Sequence, residues 1–195
     1  MNKDFAFILG NGVTRLQVDC EGLLDYGYVY GCNRIYQEFA PTVLVSTDAG
    51  MAREIQESGY SSRYKHYTRT NHLIAESGAH TIPKHLHGYS SGPAAIGIAA
   101  QTSACYLFLI GFDLKGVNNL INNIYAGTAH YKDKDNKPMY FGNWVEQINT
   151  LMKSHTDKRF VHVNPLDNFT DESFRKNPNF STMSLDEFKR MINKT

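Results

Sequence analysis

The chain has 195 residues, 42% of them hydrophobic and 20% charged, which is enough for one domain with its own core and too little for two ordinary ones. Lys and Arg number 20 against 19 Asp and Glu, a net charge of +1, and that balance excludes a nucleic-acid coat or an anionic membrane surface as the main partner. No apolar run approaches the roughly 18 residues of a membrane span, so no membrane-spanning segment is predicted.

Five apolar residues, Phe5–Leu9, run straight into Gly10-Asn11-Gly12. This pattern reads as a buried strand that empties into a loop without bulky side chains. Glycines there permit a tight turn, and backbone N–H groups can come close to a ligand, most often a phosphate or nucleotide. The plain alternative is an ordinary strand-to-loop turn. Residues 25–33 are aromatic and β-branched enough for a second strand, ending in Gly31-Cys32-Asn33. A short helix is predicted over 34–39, with Ile35 and Phe39 on one face and Pro41 as its stop. A third strand over 42–48 closes on Ser46-Thr47-Asp48, and 51–57 suits another helix.

Residues 58–90 carry less pattern: short strands over 64–68 and 80–83, and a high density of histidine. His85-x-His87 places two imidazoles on one side of a strand. No third ligand stands at a recognisable spacing, so these read as solvated loop histidines and no metal site is predicted. Ser90-Ser91-Gly92-Pro93 then opens a run of small residues, Ala94, Ala95, Gly97, Ala99 and Ala100. Serine caps and proline in the first turn signal a helix start near Ser91, and small side chains let that helix pack closely on a sheet. Residues 105–110 are continuously apolar, as a central parallel strand should be, and they end in Gly111-Phe112-Asp113.

The stretch 116–142 is polar and rich in Asn, with 130–138 predicted as a mobile flap. Asp133, Asp135 and Asn136 have a calcium-loop spacing without its glycine and final glutamate. An amphipathic helix over 143–153 presents Trp144, Ile148 and Leu151. A last strand over 159–163 stops at Asn164-Pro165, and a polar excursion follows. Ser184-Leu185-Asp186-Glu187 is a capping box that starts a helix with an apolar stripe of Leu185, Phe188, Met191 and Ile192. The three cysteines, Cys20, Cys32 and Cys105, are odd in number and lack CxxC spacing. Cys32 and Cys105 lie in or beside apolar runs, so buried free thiols and a reducing, cytoplasmic location without a leader peptide are predicted.

Strands alternating with helices predict an α/β fold with a mostly parallel central sheet in a three-layer sandwich. Ligands of such sheets bind beyond the carboxyl ends of the strands, where the strand order reverses. Four strand ends here finish in small or polar residues, and the helix start at Ser90-Ser91-Gly92 would face the same edge. Neither the dinucleotide fingerprint GxGxxG nor the Walker motif GxxxxGK[ST] occurs.

Ile8-Leu-Gly-Asn-Gly-Val-Thr14, Gly31-Cys-Asn-Arg-Ile-Tyr36, Ser90-Ser-Gly-Pro-Ala94 and Leu109-Ile-Gly-Phe-Asp113, in this order, resemble a Rossmann-like group. That group joins bacterial CMP-sialic-acid-dependent sialyltransferases to archaeal 6-hydroxymethylpterin diphosphokinase-like proteins. The likeness spans most of residues 5–165. It implies a single-domain Rossmann-like nucleotide-binding unit over 1–168 and a C-terminal extension with a short docked helix over 169–195. It further implies that Asn11 and Asn33 contact the phosphate and sugar of a nucleotide, with Gly10 and Gly12 making room. Ser91 and Gly92 would bind phosphate or ribose, and Gly111, Phe112 and Asp113 would line the nucleoside pocket. His130-Tyr131 matches a His-Tyr pair that supports the leaving phosphate, while Lys134 stands where the group places a downstream histidine base.

The expected function is a nucleotide-dependent transferase, glycosyltransferase-like, using a nucleotide-sugar donor, with His130 or Asp113 as general base. The alternatives are a diphosphokinase-like phosphotransferase, for which ATP would bring Mg²⁺, and a catalytically silent nucleotide-binding protein. The expected partner is a nucleotide or nucleotide sugar rather than nucleic acid, and homo-oligomerisation is left open.

Overall fold

Runs such as Phe5–Leu9 offer apolar side chains to both faces of a sheet, so each face needs a covering layer. The computed structural model, which describes residues 4–193, provides two. Its strands are β1 (Phe5–Leu9), β2 (Tyr28–Cys32), β3 (Val43–Val45), β4 (His66–Thr68), β5 (His80–Thr81), β6 (Tyr106–Ile110), β7 (Arg159–Val163) and β8 (Phe180–Met183). They form one all-parallel sheet in the order β5-β4-β3-β2-β1-β6-β7-β8. The helices are α1 (Ala49–Glu57), α2 (Ser91–Ala100), α3 (Gly142–Ser154), α4 (Glu172–Arg175) and α5 (Leu185–Ile192).

The two-residue period of β1 separates the layers. Ala6 and Ile8 join the core beneath α2, α3 and α4, whereas Phe5, Phe7 and Leu9 join the core beneath α1 and α5. In the second core Phe7 stacks on Phe108 at 5.4 Å between ring centroids, and Phe188 of α5 meets Phe7 edge-on at 5.9 Å. Every residue of α2 except Gly92 is buried. Its small residues explain how: a Cβ on Gly97 would lie 2.5 Å from Leu86 Cδ2. The chain is therefore a single-domain α/β protein of Rossmann-like architecture.

Three local expectations need correction. Residues 34–39 do not form an α-helix; Asn33–Gln37 is a 3-10 turn squeezed between β2 and β3. The polar excursion after residue 168 contains α4 and β8, and β8 extends the sheet by pairing with β7. An edge strand need only be half apolar, which is why Phe-Ser-Thr-Met reads as loop. Cys105 is exposed, because it precedes β6 at the uncovered amino-terminal edge of the sheet, while Cys32 is buried and all three thiols are free. Among the described residues no helix is long and apolar enough to cross a membrane.

Two histidines in the core make folding sensitive to acid. His66 is fully buried and shares hydrogen bonds with Ser46 Oγ (2.7 Å) and Ser61 Oγ (2.8 Å). Burial, with the charge of His80 adding to it, lowers its pKa from 6.5 to about 4; burial does the same to His162, against an opposing pull from Asp113. Between pH 6.5 and 4 the unfolded chain binds protons that the folded chain refuses. Unfolding free energy therefore falls as pH falls through that window, by about 1.4 kcal/mol per pH unit for each imidazole. Urea denaturation followed against pH should show this limb. His66→Gln should make it shallower, and an unchanged slope would exclude His66 as a titrating group.

Candidate functional site

The strand order fixes where a ligand can sit. From β1 the chain winds outward to β5, then crosses back to β6 on the other side of β1, so the loops after β1 and β6 meet at the switch point. There the Gly10 N–H donates to Ile110 O (2.8 Å) and the Gly12 N–H to Gly111 O (2.9 Å). A Cβ on Gly10 would lie 2.5 Å from Gly111 O, and one on Gly12 would lie 2.4 Å from Asp113 Cγ. Gly12 has φ −69°, so these two glycines serve closeness and not the left-handed backbone that a tight turn suggests. Gly111 does need that backbone, at φ +74°.

A cavity of about 440 Å³ opens beyond these loops, within the size range of small-molecule sites. Every residue put forward from the sequence lines it. Gly10, Asn11 and Gly12 come from the loop after β1, Asn33 from the end of β2, and Ser91 and Gly92 from the start of α2. Gly111, Phe112 and Asp113 follow β6, and His130 and Tyr131 come from the strap 114–141 that roofs the cavity.

At one end Ser91 Oγ donates to Asn33 Oδ1 (3.0 Å) and accepts from the Thr47 N–H (3.0 Å). The Asn11 amide donates to the Tyr131 hydroxyl (3.4 Å). Burial pushes the Tyr131 phenol up to about 12, hydrogen bonds from the Arg34 backbone and the Asn33 side chain pulling the other way. It is thus a protonated donor at neutral pH. Asn33, Leu114 and His130 all hold positive φ (55°, 51° and 68°), so backbone strain gathers on the cavity wall.

Asp113 is buried, and its carboxylate is committed. It accepts from the Thr14 N–H (3.3 Å), the Thr14 hydroxyl and the Asn122 amide (2.9 Å), joining the first loop to the strap. The strap is further tied by the Ile124 N–H donating to Asn11 O (2.9 Å). Arg15, 2% exposed, reaches Glu38 (2.6 Å) and the Tyr125 hydroxyl (2.8 Å), and that hydroxyl also donates to Glu38. The strap is held through Tyr125, whose partners Arg15 and Glu38 lie 110 and 87 residues away in sequence. The part read as a flap, 130–138, is held through Tyr131 and His130, whose partners Asn11 and Glu54 lie 120 and 76 residues away.

His130 Nε2 pairs with Glu54 Oε2 (3.1 Å), and its ring rests on Gly50, where a Cβ would come 2.6 Å from Nδ1. Lys134 lies outside the cavity lining; its stem passes over Gly127. Among the lining residues not put forward as site residues from the sequence are Asp48, Arg69, Lys132 and Trp144. Arg69 follows β4, donates to Tyr89 O at 3.4 Å, and keeps a buried Nε without a partner. The sheet and its switch-point cavity define a Rossmann-like α/β protein with a ligand-sized site. No family model, no curated protein and no solved structure matches the chain.

Proposed function

We propose that the chain is a nucleotide-dependent transferase, glycosyltransferase-like in its use of a nucleotide-sugar donor. The observation that carries this reading is a cavity whose lining combines polar donors with aromatic rings around the start of α2. Asn11, Asn33, Ser91 and Tyr131 line it together with Arg69, whose Nε has no partner. Ser90, at the N-cap, gives that helix no side-chain bond; its Oγ accepts from Trp144 Nε1 (3.1 Å) instead. A phosphate there meets uncapped N–H groups, the positive end of the helix dipole and neutral donors, all suited to charge that grows on a leaving phosphate. Phe112, Phe141 and Trp144 of the same lining suit the flat faces of a nucleobase. Asp113 holds the two loops in place and Tyr131 donates to the leaving group.

Thermal unfolding with CMP, UDP, GDP and ATP, each with and without Mg²⁺, tests the reading. One of the first three should raise the midpoint without Mg²⁺; at 100 times its dissociation constant the gain is about 2.7 kcal/mol. If none of the four acts, the transferase reading is wrong. If only ATP with Mg²⁺ acts, the phosphotransferase takes its place.

A further inference from the structure

Aspartate is favoured at helix N-caps because its carboxylate accepts an N–H of the first turn, a bond worth about 1 kcal/mol. Asp48 is the N-cap of α1 and has the extended backbone the position requires (φ −89°, ψ 131°), yet its side chain makes no capping bond. It makes no hydrogen bond or ion pair with any other described residue either. The residue is exposed and lines the cavity, close enough for its charge to act on the Tyr131 phenol.

The other candidates for accepting a proton are occupied. The Asp113 carboxylate takes three donors from Thr14 and Asn122. His130 directs Nε2 at Glu54 and lays its ring on Gly50. Lys134 is outside the cavity lining. Among the described residues Asp48 is the one cavity-lining carboxylate with both oxygens free.

We propose that Asp48 is the general base that deprotonates the acceptor hydroxyl, an assignment that rests on the transferase reading above. The acceptor oxygen forms a bond to the donor's sugar carbon as the bond from that carbon to the phosphate oxygen breaks. The bonding pair leaves on the phosphate, facing Tyr131, Arg69 and the start of α2. The hydroxyl proton passes to an Asp48 oxygen and from there to solvent. Water can stand in for the acceptor, and the same step then hydrolyses the donor and releases free nucleotide.

The test uses the full chain with CMP-, UDP- and GDP-linked sugars in water, following nucleotide release by chromatography. The midpoint shift produced by each free nucleotide is measured in parallel. Asp48→Asn keeps the size and N-cap suitability of the residue, so its unfolding midpoint should match the wild type. Its response to free nucleotide should be kept or strengthened, because a negative charge near the phosphate is removed. Its release rate should fall by roughly 10²- to 10⁴-fold, the span of a lost general base. His130→Gln should fall less. Asp48→Asn releasing nucleotide as fast as the wild type would overturn the assignment while the transferase reading stands. So would a wild type that binds a nucleotide but releases none from any donor. A wild type that binds no nucleotide overturns the transferase reading itself, and the role of Asp48 with it.

Discussion

Alanine at position 10 is expected to destabilise the fold by about 3 kcal/mol and to abolish ligand binding along with it. The added Cβ would lie 2.5 Å from the oxygen and 2.9 Å from the carbonyl carbon of Gly111. Both are backbone atoms of the facing loop, so no rotamer change relieves the clash, and the loops after β1 and β6 must separate. Separation strains the two hydrogen bonds that hold them, Gly10 N–H to Ile110 O and Gly12 N–H to Gly111 O. It also moves Asn11 and Asp113, the anchors of the strap. Gly92→Ala is the control. Its Cβ would meet the edge of the Phe112 ring at 3.1 Å, a side chain that can give by a few tenths of an ångström, so it should cost under about 1 kcal/mol. Urea denaturation of both variants checks the ranking. Equal costs would show that the two loops are not rigidly apposed at the switch point.

The residues that mark this crossing are also those most legible in the sequence. Apolar runs of five or six residues cut off by Gly, Asn or Ser carry two signals at once, burial of the strand and an open backbone at its end. Asn11, Asn33, Ser91 and Asp113 stand out for that reason, and the sheet brings them to one cavity. Chain-local pattern does not single out Arg69, although a strand is predicted to end just before it, because a charged residue in a loop ordinarily reads as solvated; Lys132 follows no strand at all. Arg15 is harder still. A charged side chain in a loop ordinarily points to solvent, and its burial depends on Glu38 and Tyr125, the second of them 110 residues away. Asp113 shows the converse limit. Its position beyond β6 is readable, but a carboxylate free to react and one saturated by Thr14 and Asn122 look the same in sequence. The same ambiguity hides Asp48, whose N-cap setting suggests a structural bond that the side chain does not make.

Asn33 calls for two substitutions, because its backbone and its amide do different work. At φ +55° it occupies the left-handed region, which costs most residues roughly 1–2 kcal/mol and which Asn and Gly tolerate. Its amide accepts from Ser91 Oγ at 3.0 Å and hydrogen-bonds the Tyr131 phenol. Asn33→Ala should therefore lose ligand binding together with about 1–2 kcal/mol of stability, so that its phenotype mixes the two causes. Asn33→Gly relieves the backbone and removes only the amide. Ser91 keeps Thr47 as a partner at 3.0 Å, so the glycine variant should unfold close to the wild-type urea midpoint. Its nucleotide affinity should still fall by roughly 10- to 100-fold, the worth of one hydrogen bond to a charged group. Calorimetric titration with the nucleotide that raises the unfolding midpoint measures the first quantity, and urea denaturation the second. Wild-type affinity in Asn33→Gly would place the amide outside the ligand contacts. Equal stability of the alanine and glycine variants would show that the left-handed backbone carries no strain. In both variants Tyr131 loses the Asn33 hydrogen bond that opposes its burial, so its phenol should titrate higher than in the wild type. A shift confined to ligand affinity, with the phenol unmoved, would mean that Asn33 acts on the ligand directly and not through Tyr131.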